Sequence, residues 1–177
     1  MYQNKPDNSG SNPNTIITSD HIRIHEGEGF SISSIFTGVA NLATVNYAFK
    51  TPTVASGKFI HLKHQEFWAS ANKVRTDFYE APTNAPINGS SLAISNRRRT
   101  GVLPVSNMQA AKAAMDIDLT GATNVETLQF GLGSIARPMD IEMVLKPDTW
   151  YIRTFTNSTG GSIDINFFDF WYEEISL

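Results

Sequence analysis

Residues 136–177 constrain the fold more than any other part of the chain. In Ile141-Glu142-Met143-Val144-Leu145 the apolar residues Ile141, Met143 and Leu145 recur at period two, the repeat of a strand with one buried face. Lys146-Pro147-Asp148-Thr149 reads as a turn, because proline fixes φ and aspartate hydrogen-bonds its own backbone. Trp150 to Phe155 alternates again, Asn157 to Gly161 turns, and residues 162–172 follow as an aromatic strand. Three strands joined by short turns predict an all-β, antiparallel β-sandwich. Ile141, Met143, Leu145, Ile152, Ile163 and Ile165 are the expected core. In the last strand Ile163, Ile165 and Phe167 share one phase, and Phe168, Phe170 and Tyr172 the other. That shift predicts either a β-bulge near Phe167–Phe168 or a strand buried on both faces.

Upstream the same rhythm holds. Ile22 and Ile24 alternate with Arg23 and His25, Glu26-Gly27-Glu28-Gly29 turns, and Phe30 and Ile32 alternate again. Val45, Tyr47 and Phe49 share a face of a strand ended by Thr51-Pro52. Residues 57–68 form a long strand candidate with Phe59 facing away from Ile60 and Leu62, and residues 74–79 another. Glu80-Ala81-Pro82-Thr83-Asn84-Ala85-Pro86 is too rich in proline for an inner strand. Residues 106–116 break the rhythm: their helix propensity is high and they hold no β-branched residue, so a short helix or an inserted loop is expected. Residues 120–127 return to extended chain, and 128–133 look like a strand end or glycine turn. Residues 1–14 have little to bury and read either as a disordered tail or as an arm that orders on assembly. The expected layout is a flexible, extended or disordered arm over residues 1–20 and one sandwich domain over 21–177.

With 177 residues the chain can bury a core. Charged residues make up 18%, against roughly 25% in ordinary soluble domains. A surface of Asn, Ser and Thr suits either packing against neighbours or a plain uncharged β surface. The formal net charge of −3 provides no global basic field for nucleic acid. There are no cysteines, hence neither disulfides nor thiolate metal sites. No apolar run nears the roughly 20 residues of a membrane span, and residues 1–20 lack the pattern of a secretory signal.

Catalytic patterns are weak. His21 and His25, four apart on an expected strand, would lie about 13 Å apart at about 3.3 Å per residue, too far to share a zinc. His61 and His64 would face opposite sides of theirs. The carboxylate pairs Glu26/Glu28, Asp116/Asp118, Asp140/Glu142 and Glu173/Glu174 could couple as in glycosidases, but solvated charges that guard sheet edges explain them better. There is no Gly-x-Ser-x-Gly elbow, and Gly131-Leu132-Gly133 lacks the rest of a dinucleotide loop. No enzymatic activity, cofactor or metal is expected.

Arg97-Arg98-Arg99 is the densest charge cluster in an acidic chain. It is either a solvated loop or an anchor whose planar donor forks grip carboxylates on a partner. Nucleic acid fits less well, since no aromatic residues are interleaved. Trp68, Trp150, Tyr151, Trp171 and Tyr172 could form a stacking platform for sugars, though packing should take the larger part.

Several weak motifs occur in a fixed order: His25-x-Gly27 before Phe30, Phe49-x-Thr51-Pro52, Phe59-Ile60-His61-Leu62 and Tyr79-Glu80-Ala81-Pro82-Thr83. Asn96-Arg97-Arg98-Arg99, Leu145 through Arg153, Thr156-Asn157-Ser158 and Phe170-Trp171-Tyr172-Glu173 follow. Over residues 22–173 this order resembles the small capsid decoration (cement, auxiliary) proteins of tailed bacteriophages. The resemblance implies a jelly-roll-like fold and a homotrimer on the outer surface of the virion head, bridging subunits of the major capsid protein, with no nucleic-acid or membrane partner. Arg97, Arg98 and Arg99, with Tyr2 and Lys5 of the arm, are then the expected capsid contacts. Placement on a tail or fibre, as a receptor- or carbohydrate-binding module, is the alternative.

Overall fold

A computed structural model describes residues 3–5, 15–17, 19–71, 73–99, 101–130 and 137–175. Eight long strands carry the architecture: β3 (Gly29–Val39), β4 (Thr44–Lys50), β5 (Lys58–Ala69), β6 (Val74–Glu80), β10 (Thr123–Phe130), β11 (Arg137–Val144), β12 (Trp150–Asn157) and β13 (Ile163–Ile175). Around them lie β1 (Gln3–Lys5), β2 (Thr15–Ile17), helix α1 (Ser19–Glu26), β7 (Ser90–Ser91), β8 (Ser95–Asn96) and β9 (Ala110–Ala113). One sheet runs β11-β5-β13-β3-β8 and the other β10-β6-β12-β4-β9-β7, with every pair antiparallel. The eighth long strand thus lies between the first and third, and the seventh between the second and fourth. This is the wrapped order of a jelly roll. The insertion between β6 and β10 lays β8 along β3 and β9 along β4, which covers one edge of each sheet.

The two sheets close on an aromatic core. Tyr47 stacks on Phe167 with centroids 3.9 Å apart and planes 3° from parallel, and Phe155 and Phe67 meet edge to face at 5.4 Å. Such pairs add about 1 kcal/mol each beyond area burial. Leu145, Ile163 and Ile165 are buried here and Met143 packs against the cluster; the side chain of Ile141 lies outside the described residues. Ile152 is buried too, but on the opposite face of its sheet, with Ala48 and Met115. The chain reaches that face because Ala114 adopts φ 53° after β9, and both polar atoms of the Asn46 amide hold the Met115 backbone.

Three local expectations are corrected. Residues 19–26 are helical, not a strand. The Gly27 amide donates to the Ile24 carbonyl and the Glu28 amide to that of Arg23, with Gly27 at φ 83°, which is a Schellman stop. Residues 110–113 form a strand, neither helix nor loop: Ala111 and Ala113 are buried and oppose Phe49 and Tyr47, where small side chains let the edge approach the rings. Finally, no bulge lies at Phe167–Phe168, since Phe167 pairs with Ser34 and Phe67, and Phe168 with Ser33 and Glu66. The register breaks where Phe170 faces His64 but Trp171 faces Leu62, so the extra residue is Lys63, in β5. The row from Ile163 to Glu173 is buried at every second position, while Phe168 and Phe170 are half-buried and Tyr172 buried on the other face.

At the amino end, β1 and β2 pair antiparallel, and α1 straddles the expected boundary at residues 20–21.

Candidate functional site: an arginine loop at one end of the sandwich

The loop after β8 is held at both roots. Asn96, buried beside Phe30, donates through its amide nitrogen to the carbonyls of Gly27 (2.7 Å) and Pro104 (3.1 Å), and its oxygen accepts the Arg98 amide at 2.8 Å. One side chain therefore ties the helix stop to both arms of the loop. A Cβ on Gly27 would lie 2.7 Å from Pro104 Cγ, so glycine is required there for space as well as for its φ. Beyond the tip, buried Glu173 accepts hydrogen bonds from the Asn107 amide at 2.9 Å, its side-chain nitrogen at 2.7 Å, and the Ser106 hydroxyl.

Between these roots the three arginines stand together. Arg97 is exposed, with its guanidinium carbon 5.8 Å from the Phe168 ring centre; Arg98 is half-buried and Arg99 exposed. None of the three forms an ion pair among the described residues. The tip next to them is apolar, with Val102 94% and Val105 86% exposed. Sequence reasoning missed this tip. Its signal was Val102-Leu103-Pro104-Val105, too short and proline-bearing to be a strand, so its apolar groups had no sheet to enter. Lys5 lies in β1, and Tyr2 lies outside the described residues.

The other candidates are engaged elsewhere. His21 and His25 sit on α1, where their extended-chain separation does not apply. The extra residue in β5 puts His61 and His64 on one face, opposite Tyr172 and Phe170, and not on opposite faces. Among the described residues no group of three His, Cys, Asp or Glu could hold a metal ion, and no helix is long and apolar enough to cross a membrane. Glu174 binds His61 Nδ1 at 2.9 Å and Arg23, whereas Glu173 points the other way to the loop root. Asp116 and Asp118 accept from the side-chain amides of Asn88 and Asn84. Trp171, Tyr151 and Tyr172 are buried, Trp150 packs in the second cluster, and Trp68 is 37% exposed.

A second polar system crosses the core itself. Arg153 is fully buried between the rings of Phe78 (4.3 Å) and Phe67 (4.9 Å), and it donates to Glu126 at 2.9 Å and to the Gln65 oxygen. The Gln65 nitrogen donates to Asp169 Oδ1 at 3.0 Å, and the Tyr47 hydroxyl to Asp169 Oδ2 at 2.5 Å. This chain of groups joins five strands across both sheets. Burial pushes the Asp169 carboxyl up to about 6, against the pull of Tyr47, Arg153, Gln65 and His64. Burial, with Asp169 beside it, also pushes the Tyr47 hydroxyl well up.

Fold and site together define an all-β jelly-roll sandwich that displays a clamped cationic loop. No protein-family model, curated protein or solved structure matches the chain.

Proposed function

We propose that this chain is a non-enzymatic structural virion protein that decorates a phage capsid from its outer surface, as a homotrimer, and stabilises it by bridging major capsid protein subunits. One observation carries the reading: three arginines without carboxylate partners among the described residues and an exposed valine tip sit on a loop anchored to the core at both roots. A solvated loop needs neither the anchoring nor the apolar tip. Jelly-roll order is an architecture of viral shell and lectin domains, which suits the proposal without deciding it. Three copies would turn modest contacts into durable ones through multivalency. The test is sedimentation of purified protein with shells assembled from the major capsid protein of the same genome. Decoration predicts saturable binding at a fixed ratio to the shell subunits. Protein left wholly in the supernatant at saturating concentration would count against it.

A receptor- or carbohydrate-binding module of a tail or fibre is the second reading. Trp68 favours it, since it opposes Asn166 on β13, with exposed Ile35 on the far side of that residue. Glycan binding that Trp68→Ala abolishes while the fold persists would move the assignment there.

A further inference from the structure

The proposal of decoration leaves open which surface meets the shell. We infer that it is the end of the sandwich where β3 and β5 begin and β4 and β13 finish, and that its occupant is a protein surface presenting carboxylates around an apolar recess. This inference rests on the virion reading and specifies its contact.

The register places the pieces at one end. The Arg97 amide bonds the Gly29 carbonyl, the Gln109 amide bonds that of Lys50, and Glu173 holds the loop root, so the arginine loop lies where β3 begins and β4 and β13 end. Ile175 pairs with Lys58, Val144 with His61, and Val54 lies in the 3-10 turn just before β5. Val54, Val144 and Ile175 are 71%, 63% and 65% exposed. With Val102, Leu103 and Val105 they make six of the eleven exposed large hydrophobic side chains among the described residues. Exposed apolar groups concentrated at one end of the sandwich, rather than spread over it, mark that end as the interaction site.

Charge selects the occupant. At this end Lys50 is paired with Asp148, and Lys146 with Glu80. Arg97, Arg98, Arg99 and Lys58 form no ion pair among the described residues, and neither Glu26 nor Glu28, beside the helix stop, pairs with them. Unpaired guanidiniums around valines call for carboxylates around an apolar recess. A second copy suits this poorly. Of its described carboxylates, Asp77, Glu80, Glu126, Asp148 and Glu174 are held in ion pairs, Glu173 in the loop root, and Asp116, Asp118 and Asp164 in hydrogen bonds, while Glu26 and Glu28, which are not so held, sit beside its own arginine loop. Nucleic acid offers phosphates but no recess for the valines.

The experiment compares three variants with the parent protein in binding to shells assembled from the major capsid protein. Val102→Asp/Val105→Asp and Arg99→Glu alter the loop at exposed positions. Leu42→Asp alters the opposite end, where Leu42 is 75% exposed in the β3–β4 turn. All three should melt like the parent protein. The loop variants should each weaken shell binding by about tenfold or more, the size of a hot-spot loss, while Leu42→Asp binds normally. Loop variants that bind as the parent does, or loss confined to Leu42→Asp, would overturn the assignment of this end and leave decoration standing. No shell binding by the parent would overturn decoration and this occupant together. Loop-dependent binding to duplex DNA or anionic vesicles instead of shells, or loop-dependent self-association, would replace the occupant.

Discussion

A single row of side chains shows how this core departs from a plain hydrophobic one. Arg153 lies on the inward face of β12 with Tyr151 and Phe155, and it is tolerated because two rings, Glu126 and Gln65 surround it. Removing one member of such a buried set costs more than the set contributes, since the remaining charge is stranded. Asp169 has a testable pH signature. Its folded-state pKa of about 6 lies above the ordinary 3.8, so the unfolded chain releases this proton first as pH rises. Its contribution to stability is therefore full below pH 4 and falls away as pH passes 6, by an amount on the order of 3 kcal/mol. Asp169→Asn should remove that decline: chemical denaturation at pH 4 and pH 7 should differ by less in the variant than in the parent protein. An unchanged difference would mean that Asp169 does not titrate in this range. None of this was legible in the sequence. An arginine between isoleucine and threonine in an alternating strand reads as a solvent-facing residue, and its partners come from strands far apart in the chain.

At the scale of elements, period-two patterning located β4, β5, β6, β12 and β13 to within a few residues, because each buries one face against the other sheet, but it caught only the start of β3 and the end of β11. Its failures have local causes. Glu26-Gly27 was read as a hairpin turn, but the same glycine stops a helix, and Arg23 and His25 favour a helix carboxyl end as readily as a strand surface. Alanine-rich β9 was assigned by propensity, and the edge of β4 overrode it. Of the two readings of β13, the strand covered on both faces holds and the bulge does not: one phase runs unbroken from Ile163 to Glu173 while Phe168, Phe170 and Tyr172 are covered on the other face, and the bulge at Lys63 belongs to the neighbouring strand. Deleting Lys63, the unpaired residue, should leave Leu62, Gln65, Phe67 and Ala69 facing the core and keep thermal unfolding cooperative, whereas deleting Lys63 and His64 together should turn Gln65, Phe67 and Ala69 away from the core and abolish it. The loop root gives a second test. Glu173→Ala should speed amide exchange at Asn107 while the central amides of β13 stay protected, at a cost of about 1–3 kcal/mol. Equal acceleration along all of β13 would show that Glu173 supports the whole strand and not the loop.

For the whole molecule, the sandwich followed from turns and alternation, and the jelly-roll order from how the eight long strands pair. The arginine cluster was legible as the densest charge in the chain. Its apolar tip had a contiguous signal in Val102-Leu103-Pro104-Val105, but the end it shares with Val54, Val144 and Ile175 was not legible, because only folding places those four segments at one end. Trimer formation belongs to this scale as well: a solution mass three times that of the chain is expected, and a monomer at high concentration would remove the multivalent part of the proposal. The most direct measurement is a low-resolution image of shells with and without bound protein. Decoration predicts discrete added density on the outer surface, contacting the shell through the end that carries Arg97, Arg98 and Arg99. Shells that look the same after incubation with saturating protein would contradict it.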